Sequence, residues 1–190
     1  YRTLLFPREF YEFDAQGKPV YYSPYNGKIQ DGYMYTDNGF WDTFRAVHPL
    51  FTLLYPEVSE RVTQSILNAY DESGFMPEWA SPGHRECMIG NNSISLLTDA
   101  WMKGIRTICP EKALEAMIHQ TEARHPGISS VGRDGFGYYD RLGYVPYPEV
   151  HEATAKTLEY AYVDWCVARF ADSIGRKEIA DTYYRKALNY

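Results

Sequence analysis

Cysteine is scarce in this 190-residue sequence: Cys87, Cys109 and Cys166 lie far apart, with no CxxC pair. An odd count excludes a fully paired disulfide framework within the chain, and the spacing offers no zinc set. Each cysteine reads instead as a small buried apolar residue. The five histidines, 48, 84, 119, 125 and 151, show no HxxxH or HxH metal spacing. No apolar run approaches membrane-spanning length, and no signal-peptide pattern occurs. Positive charge is also short: Lys and Arg total 19 against 25 Asp and Glu, for a net charge of −6. That balance argues against a nucleic-acid backbone as partner. Gly132, Gly135 and Gly137 follow no strand and precede no clear helix, so no phosphate-cradling loop is recognisable, and a serine nucleophile elbow is missing.

What the chain has in quantity is aromatic surface. Aromatics make up 16 % of residues, including 18 Tyr and 4 Trp. Flat apolar faces with polar edges suit sugar-binding pockets, and they also fill cores. The charged fraction, 23 %, is that of a globular protein with a real core. The chain opens "YRTLLFPREF" without methionine and stops at "YYRKALNY" with no glycine cap, which predicts a segment of a longer protein.

Residues 1–36 read as irregular chain, rich in turn residues, with one strand-like run at 20–22. Helical periodicity dominates afterwards. A first helix opens after Asp37 or Asn38, both good N-caps, and Pro49 kinks it or starts a new turn. A second begins at Pro56-Glu57 and stops at Gly74. A third, over residues 93–108, is apolar around most of its circumference, and a fourth starts at Pro110-Glu111. The glycine-rich stretch 125–148 is too long for a mere connector, and its tyrosines argue for an ordered loop. A fifth helix spans 152–174, with Leu158, Ala161, Tyr162, Trp165 and Ala168 on one face, and a sixth follows from Arg176.

These form three helix pairs, in each of which a helix apolar on several sides precedes an amphipathic one. That alternation is what the inner and outer layers of an α/α toroid require. The expected fold is therefore all-α, three α/α-hairpins making about half of an (α/α)6 toroid behind an irregular N-terminal segment. Residues 1–190 are expected to be part of one such toroid domain, residues 1–36 as its irregular lead-in and 37–190 as its helices.

Three stretches carry candidate chemistry. In "DNGFWDTFRAVHP", Asp42 either pairs with Arg45 three residues on, or accepts sugar hydroxyls beside the ring of Trp41. The loop "MPEWASPGHRECMIGNNS" gathers Glu78, His84, Arg85, Asn91 and Asn92 at the entry to the most apolar helix; Asn91, Asn92 or Ser93 should cap that helix, leaving the others available. Glu159 and Asp164 fall on an otherwise apolar helix and call for partners, with Lys156, Arg169, Lys103 and Arg45 as candidates for Glu159.

Taken in order, "YTDNGFWDTFRAVHPL", "GFMPEWASPGHRECMIGNNSISLLTDAWMKGI" and "TLEYAYVDWCVARFADSIG" resemble the catalytic toroid domain of the glycoside hydrolase family 92 α-mannosidases. The resemblance implies a Ca2+-dependent, secreted, periplasmic or envelope-associated enzyme that removes terminal α-mannose from N-glycans or related mannosides with inversion. The family's Trp-Asp-Thr-x-Arg motif maps onto Trp41, Asp42, Thr43 and Arg45, which implies that Trp41 and Asp42 hold the terminal mannose while Arg45 holds Asp42. Met88 to Asn91 should lie near the same subsite, and His84, Arg85, Asn91 and Asn92 are further substrate-binding candidates. Glu78, Glu159 and Asp164 are expected to support them. Val163 stands where members often carry an aspartate, so a ligand role there is excluded. The Glu-Gly-Asn and Gly-Asn-Asp/Glu motifs that carry the family's general acid and base are not in this sequence. No catalytic residue or metal ligand is therefore assigned within the segment, and the calcium ligands fall mostly outside it. The remaining half of the toroid and a β-sandwich domain are its expected partners within the same chain. Two other readings stay open: a tetratricopeptide-like binding module, suggested by the last 31 residues, and a helical-barrel glycosidase for another sugar.

Overall fold

Asp14, Gly17, Pro19, Asn26 and Gly27 turn the chain at intervals short enough for the extended pieces between them to pair. In the computed structural model, which describes residues 6–190, those pieces are β1 (Arg8–Glu9), β2 (Glu12–Phe13), β3 (Pro19–Tyr22), β4 (Ile29–Asp31) and β5 (Tyr35–Thr36). β2, β3 and β4 form an antiparallel sheet in which Val20 lies opposite Glu12 on one side and Asp31 on the other. β1 pairs antiparallel with β5. The irregular lead-in expected from the sequence is thus largely short strands, because turn residues there reverse the chain instead of merely loosening it. Positions 1–5 of that lead-in lie outside the described residues.

β6 (Asn38–Gly39) leads directly into α1 (Phe40–Thr43), followed by α2 (Val47–Leu54) and α3 (Pro56–Ser73). Neither Asp37 nor Asn38 caps α1. Asn38 is drawn into a two-residue ladder with β7 (Trp79–Ala80), and Asp37 accepts from the Ser81 hydroxyl and faces Arg8. Gly39 sits at the cap position because a Cβ there would lie 2.7 Å from the Trp79 ring. Pro49 falls in the first turn of α2, where its missing N–H is one the helix could not have bonded anyway. α3 begins at Pro56 and ends at Gly74, as its sequence signals require. The Tyr21 and Ser23 hydroxyls both donate to Glu72 of α3, fastening the small sheet to the helices.

The remaining elements are α4 (Asn92–Met102), α5 (Pro110–Glu122), α6 (Phe136–Leu142), α7 (Ala153–Ser173) and α8 (Lys177–Lys186). α4 stops six residues short of the expected end, and Ile105 and Ile108 are buried in the chain that follows it. α6 is an unexpected helix inside the glycine-rich stretch. α4 packs against α1, α2, α3 and α7, while α5 lies against α3 and α7, and α8 against α7. The arrangement is two layers: α1, α2, α4 and α7 on one side, α3, α5 and α8 on the other. It is the hairpin architecture of an α/α toroid.

Two expectations about burial need correction. The buried side of α7 carries Tyr160, Val163, Asp164, Val167 and Phe170, whereas Leu158, Tyr162 and Trp165 from the expected core face are exposed. An inner-layer helix has apolar residues on both sides, so periodicity alone could not tell the packed side from the open one. Of the cysteines only Cys166 is buried, its thiol pushed up to about 12 by desolvation; Cys87 and Cys109 are exposed.

Beside the apolar core lies a sealed polar one. Arg133 of the glycine-rich stretch is inserted between the layers, its Nη1 2.9 Å from Asp164 Oδ1 of α7, and the Tyr139 hydroxyl of α6 donates to Asp164 Oδ2 at 3.0 Å. The guanidinium carbon lies 4.5 Å from the Tyr160 ring centre and 5.3 Å from that of Tyr139. Lys156 and Arg124 both pair with Asp134 next door, at 3.1 and 3.2 Å. Breaking such a pair strands the other charge in the interior, which costs about 3–5 kcal/mol. Asp164→Ala should therefore lower the urea midpoint of the protein steeply, and the double change Arg133→Met with Asp164→Leu should recover most of the loss. A double variant as unstable as the single one would show that Arg133 is needed for something other than its charge partner.

Candidate functional site

α1 has only four residues and no side-chain cap, too little helix to be stable by itself. What holds it is α7. The Trp41 indole Nε1 donates to Glu159 Oε1 at 2.9 Å, across 118 residues of sequence. Arg45 Nη2 lies 3.7 Å from the same oxygen, and Asn92 Nδ2, at the start of α4, donates to Glu159 Oε2 at 3.3 Å. The inner helices α1, α4 and α7 thus meet around one carboxylate. Arg45 also donates from Nε to the Trp41 carbonyl at 3.1 Å and stacks its guanidinium 4.7 Å over the rings of both Trp41 and Phe44.

Arg45 does not hold Asp42. Its guanidinium turns back along α1 toward Trp41 and Glu159, where the cation gains a carboxylate and two aromatic faces. Asp42 is exposed, with no hydrogen bond or ion pair to any described residue. A carboxylate beside a half-buried indole at a helix start is free to accept from ligand hydroxyls. Glu159 chooses Arg45 among its candidate partners because the other three are engaged: Lys156 with Asp134, Lys103 with Asp99, and Arg169 near the Trp165 ring.

The loop between α3 and α4 behaves differently from its expectation. Asn91 and Asn92 are fully buried and line no open surface. Arg133 Nε donates to Asn91 Oδ1 at 3.2 Å, and since a guanidinium can only donate, the Asn91 amide nitrogen is turned toward Glu78 Oε1 (3.1 Å) and the Gly132 carbonyl (2.9 Å). Glu78 is itself sealed, accepting also from Gln120 Nε2 at 2.8 Å and from the Asn92 backbone N–H at 3.1 Å. It is therefore Glu78, and not Asn91, Asn92 or Ser93, that caps the α4 N-terminus, where the helix dipole favours a carboxylate. Burial raises the Glu78 carboxyl well above its usual range, against the pull of these three donors and of Arg133.

His84 makes its contacts with other residues than Trp41. Its Nε2 meets the Ser73 hydroxyl at 2.9 Å, and its ring packs against Tyr25 and His125. Arg85 is exposed, with Nε donating to the Ser81 carbonyl at 2.5 Å. The structure thus brings Trp41, Asp42, Arg45, Asn92 and Glu159 together, makes Glu78, Asn91 and Asp164 the scaffold behind them, and leaves His84 elsewhere. Arg133 and Gln120 escaped sequence reasoning. The one signal for Arg133 is its position between Gly132 and Gly135, where the chain must turn tightly.

Layered α-hairpins whose inner row converges on an aromatic–carboxylate wall define a toroid-type domain. The chain belongs to glycosyl hydrolase family 92: residues 1–190 match its catalytic domain. It is 83 % identical to the solved family GH92 inverting mannosidase of Bacteroides thetaiotaomicron, covering 100 % of this chain and 26 % of that one with a TM-score of 0.99. A second GH92 α-mannosidase of that organism, solved in complex with mannoimidazole, is 31 % identical over 97 % of this chain and 24 % of its own, with a TM-score of 0.83. An uncharacterised secreted glycosidase of Arthroderma benhamiae is 25 % identical over 135 residues, 66 % of this chain and 17 % of that protein. The chain thus spans about a quarter or less of the length of these relatives. Family membership replaces the tetratricopeptide-like reading.

A buried imidazole, His48, and a half-buried one, His84, give the fold a predictable acid sensitivity. Burial holds His48 down to about 3, and burial together with nearby His125 holds His84 down to about 4. Below about 6.5 the unfolded chain takes up protons that these folded rings refuse, so stability falls as pH drops from about 6.5 toward 4. The melting temperature should decline between pH 7 and pH 5, and less steeply in a His48→Gln, His84→Gln variant. Equal slopes would mean that both rings are protonated in the folded protein.

Proposed function

We propose that this chain is the sugar-binding part of a glycoside hydrolase that removes terminal α-linked mannose from N-glycans or related mannosides by a single inverting displacement. The observation that carries the proposal is Asp42: an unpartnered carboxylate held beside Trp41 in a chain 83 % identical to an inverting mannosidase. The indole offers a sugar ring an apolar face, and Asp42 accepts from its hydroxyls.

Inversion requires two carboxyl groups roughly 6.5–9.5 Å apart, one to protonate the leaving oxygen and one to activate water. Near Trp41, Glu159 is committed to three neighbours, and Glu78 and Asp164 are sealed in the interior. Asp42 alone is open, so the acid–base pair belongs to chain beyond these residues. The same reasoning applies to Ca2+, which takes about six to eight oxygen ligands. Among the described residues no group of three or more His, Cys, Asp or Glu is placed to hold a metal ion. These residues do not fit the ion by themselves, and its ligands are assigned to the rest of the protein.

Residues 1–190 then form about half of one catalytic toroid. The exposed apolar strip of Leu158, Tyr162, Trp165, Leu188 and Tyr190 supports this, since it is the surface that neighbouring helices and a β-sandwich domain of the same protein would cover. Secretion or a periplasmic location accords with the fungal relative, and no helix among the described residues is long and apolar enough to cross a membrane.

In the full-length protein, Asp42→Ala should abolish most hydrolysis of aryl α-mannosides, by about 100-fold or more in kcat/KM if the charge-assisted hydrogen bonds strengthen in the transition state, with an unchanged melting temperature. Aryl α-glucosides should be poor substrates, and a chelator should suppress turnover. Wild-type kinetics for Asp42→Ala would overturn the assignment of Asp42, and a preference for α-glucosides would overturn the sugar.

A further inference from the structure

Trp41 is gripped in a way that core packing does not require. Its indole has one polar hydrogen, and that hydrogen is directed at Glu159. Its carbonyl is held by Arg45 Nε, and one face of its ring is covered by the Arg45 guanidinium. That face is therefore closed to a ligand. The four-residue α1 could not fix this orientation itself, whereas Glu159 projects from the 21-residue α7.

The carboxylate is fixed in turn. Gly90 has a φ of +79°, and a Cβ at that position would lie 2.6 Å from Asn92 Nδ2 and 3.2 Å from Glu159 Oε2. The backbone therefore closes over the Asn92–Glu159 hydrogen bond at a point where only glycine fits. Asn92 is fully buried, and its amide also reaches the Ile89 carbonyl. Placing a carboxylate among the apolar neighbours of α7 is unfavourable unless it is fully bonded. Here every bond it makes leads to the ligand-facing helix start or to the loop that encloses it.

We infer that Glu159 is a positioning residue for sugar recognition: acting through Trp41, it sets the plane of the indole against which the sugar ring stacks. The inference rests on the glycosidase reading above and adds a specific division of labour to it. Asp42 bonds the sugar, Trp41 stacks on it, and Glu159, with Arg45 and Asn92 as its clamps, determines how Trp41 is presented.

The test is a kinetic cycle in the full-length protein with Glu159→Ala, Glu159→Gln, Trp41→Phe and the Glu159→Ala, Trp41→Phe double variant. The substrate is an aryl α-mannoside, or whichever aryl glycoside the wild type cleaves. Glu159→Ala should raise KM about tenfold with kcat changed far less, as expected when uniform binding is lost. Glu159→Gln keeps an acceptor for the indole N–H and should recover most of that loss. Trp41→Phe has no N–H, so adding Glu159→Ala to it should raise KM little further, the non-additivity of two residues that act as one unit. An unchanged KM in Glu159→Ala, or additive losses in the double variant, would overturn the inference while the wild-type activity stands. Should the alanine variant not fold, the glutamine and phenylalanine variants decide: no rescue by Gln, with KM as high as in Trp41→Phe or higher, would overturn it too. A wild type that cleaves no glycoside would instead overturn the functional reading.

Discussion

The rest of the structure depends on a buried cation. Arg133 enters the interior from a glycine-rich stretch and finds Asp164 on α7, Asn91 in the loop before α4, and the faces of Tyr160 and Tyr139. A guanidinium in such a place has to be matched on each side, and each match fixes a different segment. Asp164 anchors it to the inner layer. Asn91 relays its donor-only character to Glu78, which caps α4 and accepts from Gln120 of α5. One charge thereby sets the direction of a chain of hydrogen bonds running from α7 through two loops to the outer layer. Its Nη2 has no hydrogen-bond acceptor, and the aromatic faces beside it supply the compensation.

This sealed network and the open wall around Trp41 are parts of one device. Glu78 is fixed through its side chain by the interior, and its backbone carbonyl accepts from the Phe40 N–H at the start of α1. The first residue of α1 is thus positioned from the buried side, and the second, Trp41, from α7 by Glu159. The four-residue helix that carries Trp41 and Asp42 is thus held by longer elements at both places. Exposed Asp42 needs no protein partner because water solvates it, while the helix that carries it is fixed from both sides.

The helical layers were legible in the sequence because Pro56, Gly74, Pro110 and Gly175 mark ends that local chemistry decides. The partners of charged residues were not, since Trp41 and Glu159 are 118 positions apart and Arg133 meets Asp164 across 31. Local spacing favoured an Asp42–Arg45 pair three residues apart, but Arg45 takes the neighbouring rings of Trp41 and Phe44 and a tertiary carboxylate, Glu159 on α7. His84 shows the opposite failure. A polar residue in a loop of candidate binding groups reads as a ligand, yet His84 is engaged by Ser73 and packed against Tyr25. α6 was hidden because its ends are glycines in a glycine-rich stretch, where punctuation for a helix and for a loop look alike.

The fate of the carboxylates follows from the same geometry. A general acid or base must exchange protons with substrate or water, so it needs access and a pKa near the working pH. Glu78 has the raised pKa that burial brings, but its three donors and complete enclosure leave it no route to a substrate proton. Asp164 is locked between a guanidinium and a phenol. Glu159 is occupied by Trp41, Arg45 and Asn92. Asp42 is exposed but stands as a single open carboxylate beside Trp41, whereas an inverting displacement of the kind proposed uses two. On the proposed reading these helices hold the sugar, and other segments of the protein bring the proton chemistry to it.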